Sequence, residues 1–195
     1  MKAVFKDAFV LFAITLISGL LLGGLYHVTK EPIAREAKLR KERAAKAVFI
    51  EAEHFAAKDG VVEYSFDGGE VEEVLEARDA GENLLGYVIT TVDHHGYGGD
   101  IRLMTGLSKD GTILGIAFLS LEETPGLGMK AKEEGFRSQF IGKSVTSLTY
   151  TKSGATAENE IDAISGATIT TSSVTSAVNG ALSYYQEVLL KEGKE

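Results

Sequence analysis

The residues with most chemical capacity lie together near the C-terminal end, in the run Asp162-Ala163-Ile164-Ser165-Gly166-Ala167-Thr168-Ile169-Thr170-Thr171-Ser172-Ser173. A Gly-Ala pair lets the backbone approach a ligand closely. The hydroxyl run after it leads into an apolar-periodic segment. Free N–H groups at such a helix start, together with the helix dipole, favour an anion such as a phosphate. The same residues also suit a plain cap, in which Thr170, Thr171 or Ser172 closes the helix and no ligand is involved. Spacing alone leaves both readings open. A second stretch is Leu121-Glu122-Glu123-Thr124-Pro125-Gly126-Leu127-Gly128-Met129-Lys130. Its proline and two glycines fix an unusual backbone path, which serves a ligand-lining loop or a simple connection between strand and helix. The third stretch, Gly96-Tyr97-Gly98-Gly99-Asp100, permits close approach and equally makes a turn. His94 and His95 precede it. Neighbouring strand positions face opposite ways, so they are read as surface residues and not as a chelating pair.

Composition narrows the chemistry. The chain of 195 residues has no cysteine, which removes disulfides, thiolate metal sites, iron–sulfur ligation and a cysteinyl flavin link. Its four histidines form no HExxH pattern, so a zinc hydrolase is not supported. A net charge of -8 argues against a nucleic-acid partner, which calls for a basic face. With 44% apolar residues and two prolines, the chain is not disordered.

The elements that must position these stretches are legible in outline. Segments 61–66, 84–92, 100–107 and 112–120 are short, β-branched or aromatic, and separated by turn residues such as Asp67-Gly68-Gly69. The Asp110-Gly111 pair marks a hairpin. A helix is expected at 132–140 and a strand at 144–151. A closing helix is expected over 172–190, where Val174, Ala177, Val178, Ala181, Tyr185, Val188 and Leu189 recur at helical spacing. A sheet flanked by helices gives an α+β domain with largely antiparallel pairing.

At the other end, residues 8–26 carry no charge and are rich in Leu, Ile, Phe and Gly. As a helix they match the roughly 30 Å hydrocarbon core of a bilayer, with the Thr15 and Ser18 hydroxyls returned to the helix backbone. This run is longer than a signal-peptide core and no convincing cleavage site follows it, so an uncleaved single anchor is expected. Pro32 suits a helix start. Residues 33–57 read as an amphipathic helix through Ile33, Ala37, Ala44 and Val48, or as a plain solvated stalk. The expected organisation is a tail at 1–7, a transmembrane helix at 8–26, a helical stalk at 27–57 and the folded domain at 58–195. Lysines and arginines after the span outnumber those before it, which taken alone would put the domain in the cytoplasm.

Together the three stretches resemble the covalent FMN-binding domain family. Residues 162–168 look like its attachment motif, Asp-x-x-Ser/Thr-Gly-Ala-Thr, and the loop at 123–128 and the glycines at 96–99 are also typical. The family includes the G subunit of the Rnf electron-transport complex and the C subunit of the sodium-pumping NADH:quinone reductase. The short chain without insertions is more similar to the former. The resemblance implies FMN joined by a phosphoester to Thr168 and installed by a flavin transferase that uses FAD. Ser165, Gly166 and Ala167 would shape the attachment turn. Glu123, Thr124, Gly126 and Leu127 would lie beside the flavin or its ribityl chain. Asp162 would belong to the signal read by the transferase. It further implies a single-pass protein of the cytoplasmic (inner) membrane, with the FMN domain on the outer face, against the charge count. Its partners would be other membrane and redox subunits of an ion-translocating ferredoxin:NAD+ oxidoreductase. The alternatives are the reductase subunit, a membrane-tethered flavin- or anion-binding module without electron relay, and a purely structural assembly subunit.

Overall fold

The computed structural model describes residues 2–192, so the limits 1 and 195 of the expected segments lie outside the described residues. The chain divides into two compact units, Met1–Lys41 and Glu42–Glu195.

Residues 2–41 of the first unit belong to helix α1, Lys2–Val48. Pro32 sits inside this helix rather than at a helix start. A proline there forfeits one backbone hydrogen bond, and the strong helix formers around it, Ala34, Glu36, Ala37, Lys38 and Leu39, carry the helix on. Phe5, Phe9, Leu20 and Leu22 are each exposed by two-thirds or more. An apolar surface of that size calls for a partner or a membrane. Among the described residues this is the one helix long and apolar enough to cross a bilayer. The Thr15 hydroxyl donates to the Leu11 carbonyl at 3.0 Å, so it carries no unmet polarity into that surface.

The second unit is built on a six-stranded antiparallel sheet. Its strands are β1 (His54–Ala57), β2 (Tyr64–Phe66), β3 (Gly69–Arg78), β4 (Leu84–Asp93), β5 (Ile101–Ser108) and β6 (Ile113–Ser120). They lie in the order β1-β3-β4-β5-β6, with β2 also paired to β3. Alternation sends successive side chains to opposite faces. Ile89, Leu103 and Ile116 enter one apolar cluster with the C-terminal helix. Val88, Met104 and Ala117 enter the other, with Ala44, Ala45, Val48 and Phe49. The C-terminal helix is α3, Thr168–Tyr184. Its Val174, Ala177, Val178, Ala181 and Tyr184 are almost wholly buried. Burial of each valine contributes about 1.5–3 kcal/mol.

Several elements differ from the sequence expectation. The helix expected over 33–57 stops at Val48, and His54–Ala57 pairs with β3 instead. β3 itself has no counterpart in that expectation. Glu70, Glu72, Glu73 and Glu76 crowd it, and a register shift between Val71 and Glu73 breaks its alternation. The helix expected at 132–140 is a series of short turns: a 3-10 turn at Gly128–Lys132, α2 at Glu134–Arg137 and a second 3-10 turn at Ser138–Phe140. The strand expected at 144–151 shrinks to β7, Thr149–Thr151, which pairs in parallel with β8, Glu160–Asp162. The closing helix begins four residues before the expected Ser172, and beyond Tyr184 it widens to a π-turn at Tyr185–Leu189, followed by α4 at Leu190–Glu192.

Candidate functional site

The chain leaves β8, turns through Gly166 and enters α3 at Thr168. Gly166 has φ +76°, the left-handed region that glycine occupies without strain. The N-cap is Ala167, and no side chain closes the helix start. The capping expected of Thr170, Thr171 or Ser172 is therefore corrected: the helix begins before these residues reach a capping position. Thr171 has another role. Its hydroxyl accepts the Ile164 N–H at 3.0 Å and donates to the Ala167 carbonyl at 2.9 Å, pinning the turn to the first coil of the helix. The first helical bond runs from the Thr171 N–H to the Ala167 carbonyl at 3.0 Å. Helix geometry thus gives the N–H groups of Thr168, Ile169 and Thr170 no intrahelical acceptor. They form a concentration of positive partial charge.

The other two stretches meet at Glu123, which is only 7% exposed. Its Oε1 accepts the N–H of Tyr97 at 2.9 Å and, more weakly, that of Gly98 at 3.4 Å. One carboxylate oxygen thus ties the loop at 96–99 to the loop at 121–128. The Thr124 carbonyl accepts the N–H groups of Leu127 and Met129 at 3.1 and 3.3 Å, curling the second loop into its 3-10 turn. Gly128 allows the close approach on which the site depends. A Cβ at this position would stand 2.5 Å from Thr170 Oγ1 and 2.7 Å from Glu123 Oε2. Two buried polar groups, one from each side, therefore converge on the space a side chain would fill.

These contacts border an open cavity of about 500 Å³. Its size falls within the roughly 300–1,000 Å³ of small-molecule and cofactor sites. Of the residues singled out from the sequence, Glu123, Thr124, Leu127, Gly166, Ala167 and Thr168 line it. Ser165 and Gly126 are exposed and outside its lining. Asp162 is also exposed, and its Oδ1 accepts the Ala155 N–H at 2.5 Å. Sequence reasoning does not single out Tyr97, Gly128, Ile169 and Thr170 as lining residues. Tyr97 and Gly128 lie inside stretches notable for their glycines, and Thr170 and Ile169 inside the hydroxyl run. The lining is two-sided. Open N–H groups suit a phosphate, while Tyr97, Ile169 and Leu127, 69%, 52% and 43% exposed, offer apolar surface to a planar ring. This donor set fits FMN.

A buried carboxylate ties the start of α3 to the sheet. Asp93, fully buried at the end of β4, accepts the Ser173 hydroxyl at 2.5 Å and the His95 N–H at 2.9 Å on the same oxygen. It binds the second coil of α3 to the strand that leads into the glycine loop. His94 and His95 are both exposed at the surface, and His94 Nδ1 stands 3.0 Å from Asp100 Oδ1.

Residues 96–183 match the FMN-binding domain family, a span that begins at the first glycine loop and ends within α3. The chain is 38% identical to the G subunit of the Na+-translocating ferredoxin:NAD+ oxidoreductase complex of Acetobacterium woodii, over 96% of this chain and 94% of that one. It is 31% identical to the G subunit of the proton-translocating ferredoxin:NAD+ oxidoreductase complex of Clostridium ljungdahlii, over 91% and 92%. Among solved structures, NqrC of Shewanella oneidensis superposes with a TM-score of 0.54 at 18% identity, covering 76% of this chain and 74% of that one, which is a likeness of fold. The C subunit of the Na+-translocating NADH-quinone reductase of Parabacteroides distasonis gives 0.50 at 27% identity, covering 60% and 62%. The chain, an α+β protein with an N-terminal apolar helix, belongs to the G-subunit family of ion-translocating (Rnf) oxidoreductase complexes.

Proposed function

We propose that this chain is an electron-transfer flavoprotein subunit of a membrane-bound ion-translocating ferredoxin:NAD+ oxidoreductase, with FMN esterified through its phosphate to Thr168. The observation that carries this reading is the uncapped start of α3, which brings Thr168 to the wall of a cavity lined by all three glycine-containing stretches. The family match covers the same residues.

Bound FMN supplies the redox chemistry, since no side chain of this chain need change oxidation state. The protein's part is to hold and tune it. The N–H groups of Thr168, Ile169 and Thr170 receive the phosphate charge. Attachment through the phosphate leaves the ring electronics to be set by the pocket, where Glu123 presents a carboxylate oxygen beside Thr170 Oγ1. Thr124 and Leu127 line the cavity, with Leu127 Cδ2 3.1 Å from where a Cβ of Gly166 would stand, and Gly166 and Ala167 shape the attachment turn. Asp162 is assigned to recognition by the flavin transferase, with Ser165 and Gly126 shaping the backbone on either side.

Electrons must then pass to and from neighbouring subunits, because a chain without cysteine has no thiolate for a second redox centre. The relatives, each named as a subunit of a ferredoxin:NAD+ oxidoreductase complex, support those partners. The exposed apolar surface of α1 supports a membrane location, and we assign a single pass with the flavin domain on the outer face. Outside the cytoplasm a covalent tie has a clear value, because a flavin held only by hydrogen bonds would be lost there without resupply.

The test is direct. Protein co-expressed with the transferase should gain the mass of FMN less water and fluoresce as flavin after denaturing electrophoresis. Thr168→Val should abolish both while leaving the fold intact, since the helix start uses the Thr168 backbone and not its hydroxyl. An unchanged mass in the wild-type protein under those conditions refutes the attachment.

A further inference from the structure

Among the described residues Asp93 and Glu123 are the buried carboxylates, and Asp93 is the deeper of the two. It closes β4, opposite Gly69 of β3 and Ile101 of β5. Its two oxygens are used unequally. Oδ1 accepts both the Ser173 hydroxyl and the His95 N–H. Oδ2 is buried and has no hydrogen-bond partner among the described residues. A carboxylate buried with one oxygen unmet costs stability, and such a group calls for an explanation.

The two donors belong to elements that reach the cavity separately. Ser173 follows Thr168, Ile169 and Thr170, which line it from the start of α3. His95 lies two positions before Tyr97, which lines it from the glycine loop. That loop is tightly folded: a Cβ at Gly96 would stand 2.2 Å from the Gly99 carbonyl oxygen. Its path is pinned at two points by carboxylates, at His95 by Asp93 and at Tyr97 by Glu123. Glu123 relates the loop to residues 121–128. Asp93 relates it to the helix that carries Thr168.

We propose that Asp93 is a positioning residue of the flavin site: through one shared oxygen it sets the Tyr97 loop against the start of α3. The role rests on the flavin reading given above, since it fixes how the apolar surface of Tyr97 stands relative to the phosphate tether. Because Oδ2 takes no partner, the working part is a hydrogen-bond acceptor and not the charge. Asparagine offers the same acceptor in the same shape. Alanine leaves the Ser173 hydroxyl and the His95 N–H without theirs, and an unmet donor is costly.

The experiment uses the full chain, purified with and without prior exposure to the transferase. Intact mass gives FMN loading, visible circular dichroism reports the surroundings of the bound ring, and amide hydrogen exchange reports the loop at 94–99. Asp93→Ala should load as wild type does, because Thr171 pins the attachment turn by itself. Its exchange across 94–99 should rise at least about tenfold, the factor that one lost hydrogen bond to a charged group corresponds to. Its flavin dichroism should fall. Asp93→Asn should return both to wild type with the flavin midpoint potential unchanged. Ser173→Ala cuts only the helix side of the bridge, so dichroism should fall while exchange at 94–99 stays at the wild-type rate. Val178→Ala, further along α3, removes buried core volume and leaves the bridge intact; it should lower the unfolding midpoint and spare the dichroism.

Wild-type dichroism in loaded Asp93→Ala overturns the proposal. So does an Asp93→Asn protein that matches Asp93→Ala or shifts the potential, since the charge would then be the working part. An equal loss of dichroism in Val178→Ala overturns it too, by reducing the effect to stability. A wild-type chain bare at Thr168 overturns the attachment reading instead, and exchange in the unloaded chain still decides whether Asp93 holds the loop.

Discussion

Gly128→Ala tests the convergence at the heart of the cavity. Gly128 is buried and its φ lies outside the left-handed region, so alanine fits the backbone. What alanine lacks is space. Its Cβ would stand 2.5 Å from Thr170 Oγ1, 2.7 Å from Glu123 Oε2 and 2.8 Å from Glu123 Cβ. Neither neighbour is free to swing away: Thr170 is 1% exposed and Glu123 7%, and Glu123 Oε1 is held by the Tyr97 N–H. Overpacking of this kind costs about 1–3 kcal/mol. Replacing glycine restricts the unfolded chain and returns roughly 0.4–1 kcal/mol. The net loss expected is on the order of 0.5–2 kcal/mol, small enough for the protein to remain folded. Loading should suffer more than stability, because relief of the clash displaces one of the two groups facing the cavity. Urea unfolding gives the stability and intact mass gives the fraction carrying FMN. Gly135→Ala is the control. Gly135 lies in α2 with nothing within 4 Å of the added Cβ, so loading should be complete and stability unchanged or raised by up to about 1 kcal/mol. A Gly128→Ala protein that loads fully and unfolds at the wild-type midpoint would refute the packing argument.

Two further outcomes are expected. His94 is raised above the ordinary histidine value, first by its hydrogen bond to Asp100 and then by the charges of Asp100, Glu70 and Asp93. A raised folded value means that the pair's contribution to stability is fully present below the ordinary histidine pKa and is lost as pH climbs through the folded one. Denaturation followed between about pH 5 and 8 should show a small decline that Asp100→Asn removes; an identical decline in that variant would exclude the pair. For topology, protease added outside intact cells should cut within residues 27–41, before the folded unit that begins at Glu42, and complete protection would reverse the assigned orientation.

The three glycine-containing stretches are visible in the sequence because close backbone approach demands particular residue types. The elements around them are less visible where tertiary pairing overrides local pattern. β3 carries four glutamates and a register shift, so its alternation fails even though Val71, Val74 and Ala77 are buried. Ala56 and Ala57 continue the composition of the preceding helix, and only pairing with Leu75 and Glu76 makes them a strand. The start of α3 escapes sequence reasoning for a related reason. Hydroxyl residues are the common helix caps, yet here the Ala167 N–H bonds the Ile164 carbonyl at 2.9 Å and closes the turn before any hydroxyl can serve.

The proposed attachment residue stands on a helix and not on a loop. An ester to a flexible segment would leave the ring free to sample many positions. Thr168 instead begins a 17-residue helix, and the turn before it is held from two sides. The Thr171 hydroxyl fixes it locally, and Asp93 grips Ser173 from the sheet. Positions held this way keep a cofactor within the small displacements that electron transfer between fixed partners tolerates, because the tether inherits the rigidity of the helix. Glu123 extends the same logic to the loops at 96–99 and 121–128, since the bond from Tyr97 to one oxygen also holds the other beside Gly128. The part of the lining that Glu123 contributes is therefore braced by the Tyr97 loop.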